Sequence, residues 1–523
     1  MTTQTADGRS FAEPRATVSD WLAVFAGTIG AMMATLDISI VNASLPTIQG
    51  EIGASSAEAT WVPTSFLVAE VIIIPLSAWL TRLLGLRTLL LIAATLFTFF
   101  SVVCGLSADL TTLVIGRVGQ GLTGGLLIPT AFTIIATRLP PSQQPIGTAA
   151  FGATAIMGPV MGPILGGWLT ETWSWHYAFF INVPICIFLG TLILTAFPRD
   201  ETGQARLRDA DWFGIAGMTM GLGCMTVVLE EGHRELWFES QFIIVLTIAS
   251  VVGFGLLAIG QRYAAHPVLK LSLLRERTFG SVFLIAMVFG VVLYSIIYLI
   301  PQFLALIAGY NALQAGKVVV LSGIPMLFVM PFIPWLFRNV DVRIAVFFGL
   351  SLLCISSFLD IGLTAESTGE SFTESQVMRG VAQALLFLFL NQAAISAVSK
   401  TDAPDAGGLF NTARNLGGSI GLAVMATVQE QRIGHHQARL NETISANGQI
   451  TQDWLTNTAK QFDQGSGEGL ERAYSALDGQ IAQQAFVMAY NDLFFGLGIV
   501  ALLTLPLALI LRPIRQDAGM MMH

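Results

Sequence analysis

Long apolar stretches recur along this chain from Trp21 to Leu511, and that recurrence limits the kind of structure it can adopt. A helix needs about 20 mostly apolar residues to cross the hydrocarbon of a bilayer. The chain supplies that length many times, so it is not a soluble domain with a single anchor. Only 11% of its 523 residues are charged, whereas soluble domains carry about a quarter. Residues 1–19 have neither an apolar core nor a small-residue cleavage site, and read as a polar cytoplasmic tail rather than a cleaved leader.

Hydropathy marks about fourteen spans, the first near 20–43 and the last near 486–512. An even count puts both termini on one side, and the basic residues say which. Arg82, Arg87, Arg138, Arg199, Arg206, Arg208, Arg262, Lys270, Arg275, Arg277, Arg338, Arg343 and Lys400 fall in even-numbered connections, and Arg512 and Arg515 follow the last span. The short odd-numbered connections hold almost none, with Arg234 the exception. The positive-inside rule therefore makes both termini cytoplasmic. One connection, 430–485, is long and rich in Gln, Asn, Gly and Ser; it reads as a polar outer loop, either solvated or a docking surface.

The two halves of the chain share a pattern. GRVGQGLTGGLLIP (116–129) in the fourth span and VMRGVAQALLFLFL (377–390) in the twelfth align when Gly121 is set over Gly380, which puts Gln120 over Arg379. GPVMGPILGG (158–167) and RNLGGSIGLA (414–423) align in the same order, matching Gly158 and Gly162 to Gly417 and Gly421. Parallel six-span repeats are a known way to build a transporter with its site between the halves. The expected fold is an all-α polytopic membrane protein. It has a tail (1–19), an N-terminal six-helix bundle (20–200), two additional membrane helices with their linkers (201–275), a C-terminal six-helix bundle (276–515) that includes the 430–485 loop, and a second tail (516–523).

Several motifs carry a family resemblance. LDISIVNASLP (36–46) is similar to a first-span signature L-D-x-T-I-V-N-V-A-L-P, and RVGQG (117–121) to a fourth-span R-x-x-Q-G. GPVMGPILGG resembles a fifth-span antiporter motif, and WSWHYAFFINVPI (173–185) a segment entering the sixth span. Together they resemble the major facilitator superfamily, in its fourteen-span drug:proton antiporter group of the EmrB/QacA kind. The resemblance implies the major facilitator fold, export of amphipathic or lipophilic drugs in exchange for protons, a bacterial inner-membrane location and no cofactor beyond the proton gradient. It also implies that Arg117 takes part in proton coupling and that Asp37 is important for transport. One motif departs from the pattern: G-x-x-x-D-R-x-G-R-R reads AWLTRLLGLR (78–87). Gly85 and Arg87 fit a cytoplasmic gate, but Ala78 replaces the first Gly and Arg82 stands where the acid belongs. A gate built on that acid is thereby put in question.

The residues suggest the same chemistry on their own. A charged side chain at the bilayer centre costs at least about 2.5 kcal/mol, and such groups usually face the bundle interior and serve a pathway. Asp37, Glu70 and Arg117 fall within a turn or two of one depth in the first, second and fourth spans. A carboxylate balanced between burial and a guanidinium can take a proton on one face and lose it on the other, or lose it to an arriving cation. The alternative for each is a structural tie between helices. Arg379 and Arg414, also inside spans, read as gating or packing groups, as do Gln120 and Gly121 of the fourth span. The fourfold spacing of Gly158, Gly162 and Gly166, with Gly167 beside it, permits close helix approach. Pro159 and Pro163 remove backbone donors and should bend the span. Such a helix suits a rocking interface between halves, and Gly417, Gly418 and Gly421 suit the same role in the second half.

Cavity candidates are the polar-aromatic stripe Tyr294, Tyr298 and Gln302, and the polar pair Asn391 and Gln392 in an apolar run. Greasy walls with few fixed polar groups suit broad recognition of amphipathic molecules. There is no G-x-x-x-x-G-K-[ST] loop for a nucleotide, no His/Cys/acid cluster with metal spacing, and no catalytic constellation. Cys104, Cys186, Cys224 and Cys354 lie in apolar runs and read as small hydrophobes. The expected partners are amphipathic small molecules, protons and the bilayer, with no nucleic acid. Relatives in two-membrane bacteria can also work with a periplasmic adaptor and an outer-membrane channel, which the 430–485 segment is placed to meet. The rival readings are a proton-coupled exporter of an endogenous metabolite or siderophore, a proton symporter, and a membrane sensor.

Overall fold

The computed structural model describes residues 15–140, 142–198, 210–264, 267–399, 402–444, 448–462 and 469–511. Arg199, Arg206, Arg208, Lys400, Arg512 and Arg515, the second tail and most of the first lie outside the described residues. Those described form helices and turns with no strand, as lipid demands of amides that cannot turn to water.

The N-terminal group starts with α1 (Val18–Ile52), opened by a reciprocal cap between Thr17 and Asp20. The second apolar run breaks into α2 (Trp61–Ile73) and α3 (Ser77–Leu84), bent by 60° at a gap that holds Pro75. A proline there removes an amide donor and kinks the run. Gly85, at φ 78°, turns the chain into α4 (Leu86–Gly105), a conformation that a side chain would strain. Next come α5 (Leu110–Arg138), α6 (Gln144–Thr172) and α7 (Asn182–Ala196).

Two further helices follow, α8 (Trp212–Glu231) and α9 (Gln241–Tyr263). They pack on each other through glycine: a Cβ at Gly217 would stand 2.3 Å from the Leu257 backbone nitrogen. The other flank of α8 touches both α2 and the later helix α16, so this pair lies along the seam between the two groups.

The C-terminal group holds α10 (Arg277–Leu306) and a proline-rich run that breaks into α11 (Ala312–Val320), α12 (Gly323–Val329) and α13 (Ile333–Asn339). It continues with α14 (Val342–Leu359), α15 (Thr373–Ser396), α16 (Ala403–Thr443), α17 (Gln449–Phe462) and α18 (Gly469–Ile510). Eleven helices among the described residues are long and apolar enough to cross a membrane, or twelve with α2 and α3 taken as one bent crossing. Ile187, Val251, Phe328 and Leu503 stand on the outside, a surface suited to hydrocarbon rather than water.

The 430–485 segment is not a loop. Helix α16 runs unbroken to Thr443 and α18 begins at Gly469. At 1.5 Å per residue each is roughly 60 Å long, about twice the hydrocarbon thickness. Helix α17 packs back against α18. Good helix formers (Gln, Ala, Leu, Arg) dominate the segment and outweigh the Gly and Ser that read as loop. Arg432 Nε and His436 Nε2, each 2.6 Å from Asp492 Oδ2, tie the two long helices at the hairpin's base.

One end of the molecule gathers the basic connections. There Ser19 donates to the Ala196 carbonyl, Arg343 to the Leu511 carbonyl, and Arg82 and Lys270 pair with acids at the start of α16. We call this the basic face; the helical hairpin stands on the opposite, far face.

Candidate functional site

Asp37 is fully buried, and three donors converge on its carboxylate. Arg117 Nη1 lies 2.5 Å from Oδ2, while Gln120 Nε2 and Asn182 Nδ2 donate to Oδ1 at 3.0 and 2.7 Å. Ser101 accepts from Gln120 and Asn182 at 2.7 and 2.8 Å. Arg117 also donates to the Val62 carbonyl at 3.2 Å and lies over the Phe66 ring at 4.3 Å. The cluster therefore joins α1, α2, α4, α5 and α7. Every contact to the carboxylate is a donor, so a proton arriving on it weakens the charge that holds them. Gln120, read from sequence as a gating or packing residue, instead belongs to this cluster.

Glu70 does not join it. Its side chain is buried beside Gly125, whose added Cβ would stand 3.1 Å from Glu70 Cγ. It faces the seam, within electrostatic reach of Arg414 in the other group as well as of Arg117. Around Arg414 lies a second set of polar groups. The guanidinium sits 5.4 Å over the Phe387 ring, and its Nε is buried without a protein partner. Tyr294 packs on Gly418 and donates to Asn415 Oδ1 at 3.4 Å. From α8, Glu230 accepts from Ser419 at 2.9 Å on the C-terminal side. Its neighbour Glu231 accepts from Thr64 at 3.2 Å and Arg234 at 2.6 Å, with Thr64 on the N-terminal side. Adjacent acids of the extra helix thus bind one group each.

The seam is closed at the basic face. Arg82 Nη1 pairs with Asp405 Oδ2 at 2.7 Å, and Lys270 pairs with Asp402. The residue that replaces the family's acid thus reaches across to an acid of the other half. Gly85 shapes the turn beside it, while Arg87 is half-buried and not the group that spans the seam. Behind these pairs Phe132, Phe151, Phe387 and Phe410 form an aromatic layer, with Phe151 and Phe387 stacked at 5.9 Å across the seam.

The cavity candidates separate. Tyr298 and Gln302 line a cavity of about 210 Å³ with His233, Gln429 and Glu430. Gln302 accepts from Tyr490 at 2.7 Å. Tyr294 lies apart from it, against Arg414. Asn391 is 1% exposed and neither of its side-chain polar atoms has a protein partner; Gln392 reaches Ser396 at 3.2 Å while its Oε1 has none. A buried polar group without a partner costs about 1–3 kcal/mol, so these side chains are held where a polar solute could relieve them.

The glycine expectation needs correcting. Added Cβ atoms at Gly158 and Gly162 would stand 2.2 and 2.3 Å from Thr35 and Ser39, and one at Gly166 2.8 Å from the Ile40 carbonyl oxygen. That face of α6 packs on α1, inside its own group, and Gly167 meets nothing. Gly417 and Gly421 face Met287 and Val291 of α10 in the same way. The other edge of α6 reaches the seam, where Pro163 lies against Gly316 of α11. The side chain of Pro159 lies outside the described residues.

Sequence reasoning missed Ser101 and Asn182, although Asn182 stands in the FINVP stretch that carried the family resemblance. It missed Asp360, which pairs with Arg379, and the α8 acids. An acid ending an apolar run was the available signal, single at Asp360 and doubled at Glu230 and Glu231.

A multi-pass helical protein of two groups, with a buried ion pair sealed inside each and a seam closed by further ion pairs between them, has the make-up of a membrane transporter. The comparisons with known proteins agree. The Major Facilitator Superfamily model matches residues 27–422. The colistin resistance protein EmrB of Acinetobacter baumannii is 32% identical over 484 residues, covering 92% of this chain and 94% of that one. The multidrug export protein EmrB of Escherichia coli (strain K12) is 31% identical over 491 residues, covering 93% and 94%. The fatty acid resistance protein FarB of Neisseria gonorrhoeae is 29% identical over 508 residues, covering 95% and 97%. Among solved structures, the human organic anion transporter MFSD10 (TETRAN) superposes with a TM-score of 0.58 at 16% identity, over 92% of this chain and 99% of that one, which speaks to the fold. The chain belongs to the Major Facilitator Superfamily and, within it, to the EmrB type of multidrug transporter. It is a multi-pass membrane transporter, not an enzyme.

Proposed function

We propose that this protein exports amphipathic or lipophilic molecules across the inner membrane of a bacterium in exchange for protons, by alternating access of its two groups. The observation that carries this reading is the Asp37 carboxylate, fully buried and held by Arg117, Gln120 and Asn182. A proton on Asp37 cancels the charge that holds Arg117, and the freed guanidinium lets α1 and α5 shift. Glu70, at the seam, is the second acid able to trade a proton for a cationic solute. On this reading the chain crosses the bilayer fourteen times, with α6 and α16 counted, and both termini are cytoplasmic. The basic face is then the cytoplasmic one, and the conformation described is closed toward the cytoplasm. The proton gradient is the only drive and no cofactor takes part. The helical hairpin then projects to the outside, where it is placed to meet a periplasmic adaptor leading to an outer-membrane channel. Deleting it should impair resistance in cells and spare flux in liposomes.

The test is proton release when a lipophilic cation is added to detergent-purified protein near neutral pH. Wild type should release protons, and Asp37→Asn, Glu70→Gln or both together should reduce that release. Unchanged release in the double variant would make these acids structural. A second reading has its own support: the unpartnered Nε of Arg414 beside Phe387 suits the carboxylate of an amphipathic anion, and FarB is a fatty acid resistance protein. Competition between a fatty acid and a lipophilic cation for purified protein, with and without Arg414→Gln, separates the two.

A further inference from the structure

The C-terminal group contains a second sealed carboxylate–guanidinium pair. Arg379, on α15, is fully buried and pairs with Asp360, which is 1% exposed. Its Nη1 donates to Ser375 and Gln376, both at 3.2 Å, and its Nη2 to the Ser356 carbonyl at 3.0 Å. The Phe494 ring lies 5.8 Å away.

Several parts of the Arg117 site recur here. Each arginine sits about two turns into the helix of the fourth apolar run of its group, α5 or α15, with the broken runs α2–α3 and α11–α13 each counted once. Each binds a glutamine three residues away on its own helix, Gln120 or Gln376. Each binds one backbone carbonyl, one carboxylate and one phenylalanine face. Each keeps one buried guanidinium nitrogen without a protein partner, Arg117 Nη2 or Arg379 Nε. The carboxylates come from different helices, α1 in one half and the end of α14 in the other, so the match lies in chemistry rather than in aligned residues. The sequence register, which sets Gln120 over Arg379, hides it.

One difference favours exchange at the second pair. Both Asp37 oxygens are held by donors, whereas Asp360 Oδ1 is buried with no protein partner. Ser375, the hydroxyl beside it, donates to the Phe372 carbonyl at 3.0 Å and accepts from Arg379, and the other groups nearby are engaged or exposed. On α18, Asn491 is spent on the backbone of Leu363, Asp492 is held by Arg432 and His436, and Tyr490 bonds Gln302. Glu366 and Glu370, in the connection from α14, and Glu374, in the first turn of α15, are exposed at the far face.

We propose that Asp360 and Arg379 form a second proton-coupling site, so that each half carries its own exchangeable proton. The step is an acid–base exchange with no redox partner. A proton from water forms an O–H bond at Asp360 Oδ1, the ion pair to Arg379 is given up, and the same proton returns to water when the pair re-forms. The inference rests on the proton-exchange reading above.

Protons released per molecule bound are counted with tetraphenylphosphonium as the probe. In the Asp37→Asn/Glu70→Gln protein, where Asp360 is untouched, release should persist at about half the wild-type ratio or less. Adding Asp360→Asn should abolish it, and Asp360→Glu should restore it. Complete loss of release in the double variant, with the probe still bound, overturns the second site and leaves the first reading standing. Residual release that survives Asp360→Asn also overturns it. Wild-type protein that binds the probe without releasing any proton defeats the proton-exchange reading itself, and this inference with it. Because the first measurement needs no change at Asp360, a folding defect in Asp360→Asn does not block the decision.

Discussion

At the scale of single residues, the Asp37 cluster shows how a costly charge is kept in a bilayer: each oxygen meets a donor, two of them from α5 and one from α7. Asn182 is the least obvious of these, yet its Nδ2 links Asp37 to Ser101. Hydrogen bonds to charged groups contribute about 1.5–3 kcal/mol. Asn182→Ala should therefore lower the stability of purified protein by that amount in thermal unfolding. Unchanged stability would mean that Gln120 and Arg117 suffice. Asp37 and Arg117 were legible from the sequence because an ionisable residue in an apolar run stands out. Asn182 and Ser101 were not, because small polar residues are common in spans and only packing shows which of them meet a charge.

At the scale of helices, two predictions follow from how elements meet. A side chain at Gly162 collides with Ser39, while Gly167 faces open space. Overpacking of this kind typically costs about 1–3 kcal/mol, so Gly162→Leu should lower the yield of monodisperse protein and Gly167→Ala should not. Equal behaviour of the two would contradict the α1–α6 contact. The second concerns Asp402, ahead of α16. The hydrogen bond from Lys270 holds its carboxyl below the ordinary value of 3.8, helped by Ser399 and by the charges of Lys270 and Arg82, with burial acting the other way. A folded-state value below the unfolded one stabilises the protein fully above the unfolded value, and that contribution is lost as pH falls through the folded one. The pair is partly exposed, so its contribution is about 0.2–1 kcal/mol. Melting temperature should fall as pH drops below about 4, and less steeply in Asp402→Asn. The hairpin of α16, α17 and α18 belongs to this scale too: composition suggested loop, and helix propensity prevailed.

At the scale of the molecule, the seam decides what can move. Arg82–Asp405 and Lys270–Asp402 close the basic face, with the aromatic layer behind them. Asp405 is buried and Arg82 half-exposed, so losing one partner should cost the closed form about 1–3 kcal/mol, between the surface and buried cases. Arg82→Glu should open the basic face, read as a longer distance between spin labels on α3 and α16. The exchange Arg82→Glu/Asp405→Arg should bring it back. If the single variant leaves the distance distribution unchanged, the Lys270–Asp402 pair and the aromatic layer hold the gate without it. Helix α8 adds a constraint that a twelve-helix carrier lacks, because Glu230 and Glu231 bind opposite groups.

The sequence by itself determined the all-helical membrane architecture, the family and the buried pair Asp37 and Arg117. Those follow from local properties: apolar length, the cost of an ionised group in hydrocarbon, and contiguous motifs. Only the tertiary structure decided which groups meet across the chain. Arg82 finds an acid 323 residues away, Arg379 an acid 19 residues before it, and Glu70 faces the opposite half instead of Asp37. It also turned the glycine face of α6 inward, toward α1. Periodicity gives the depth and face of a residue on its own helix, but which helix lies against that face is settled by the packing of all of them together.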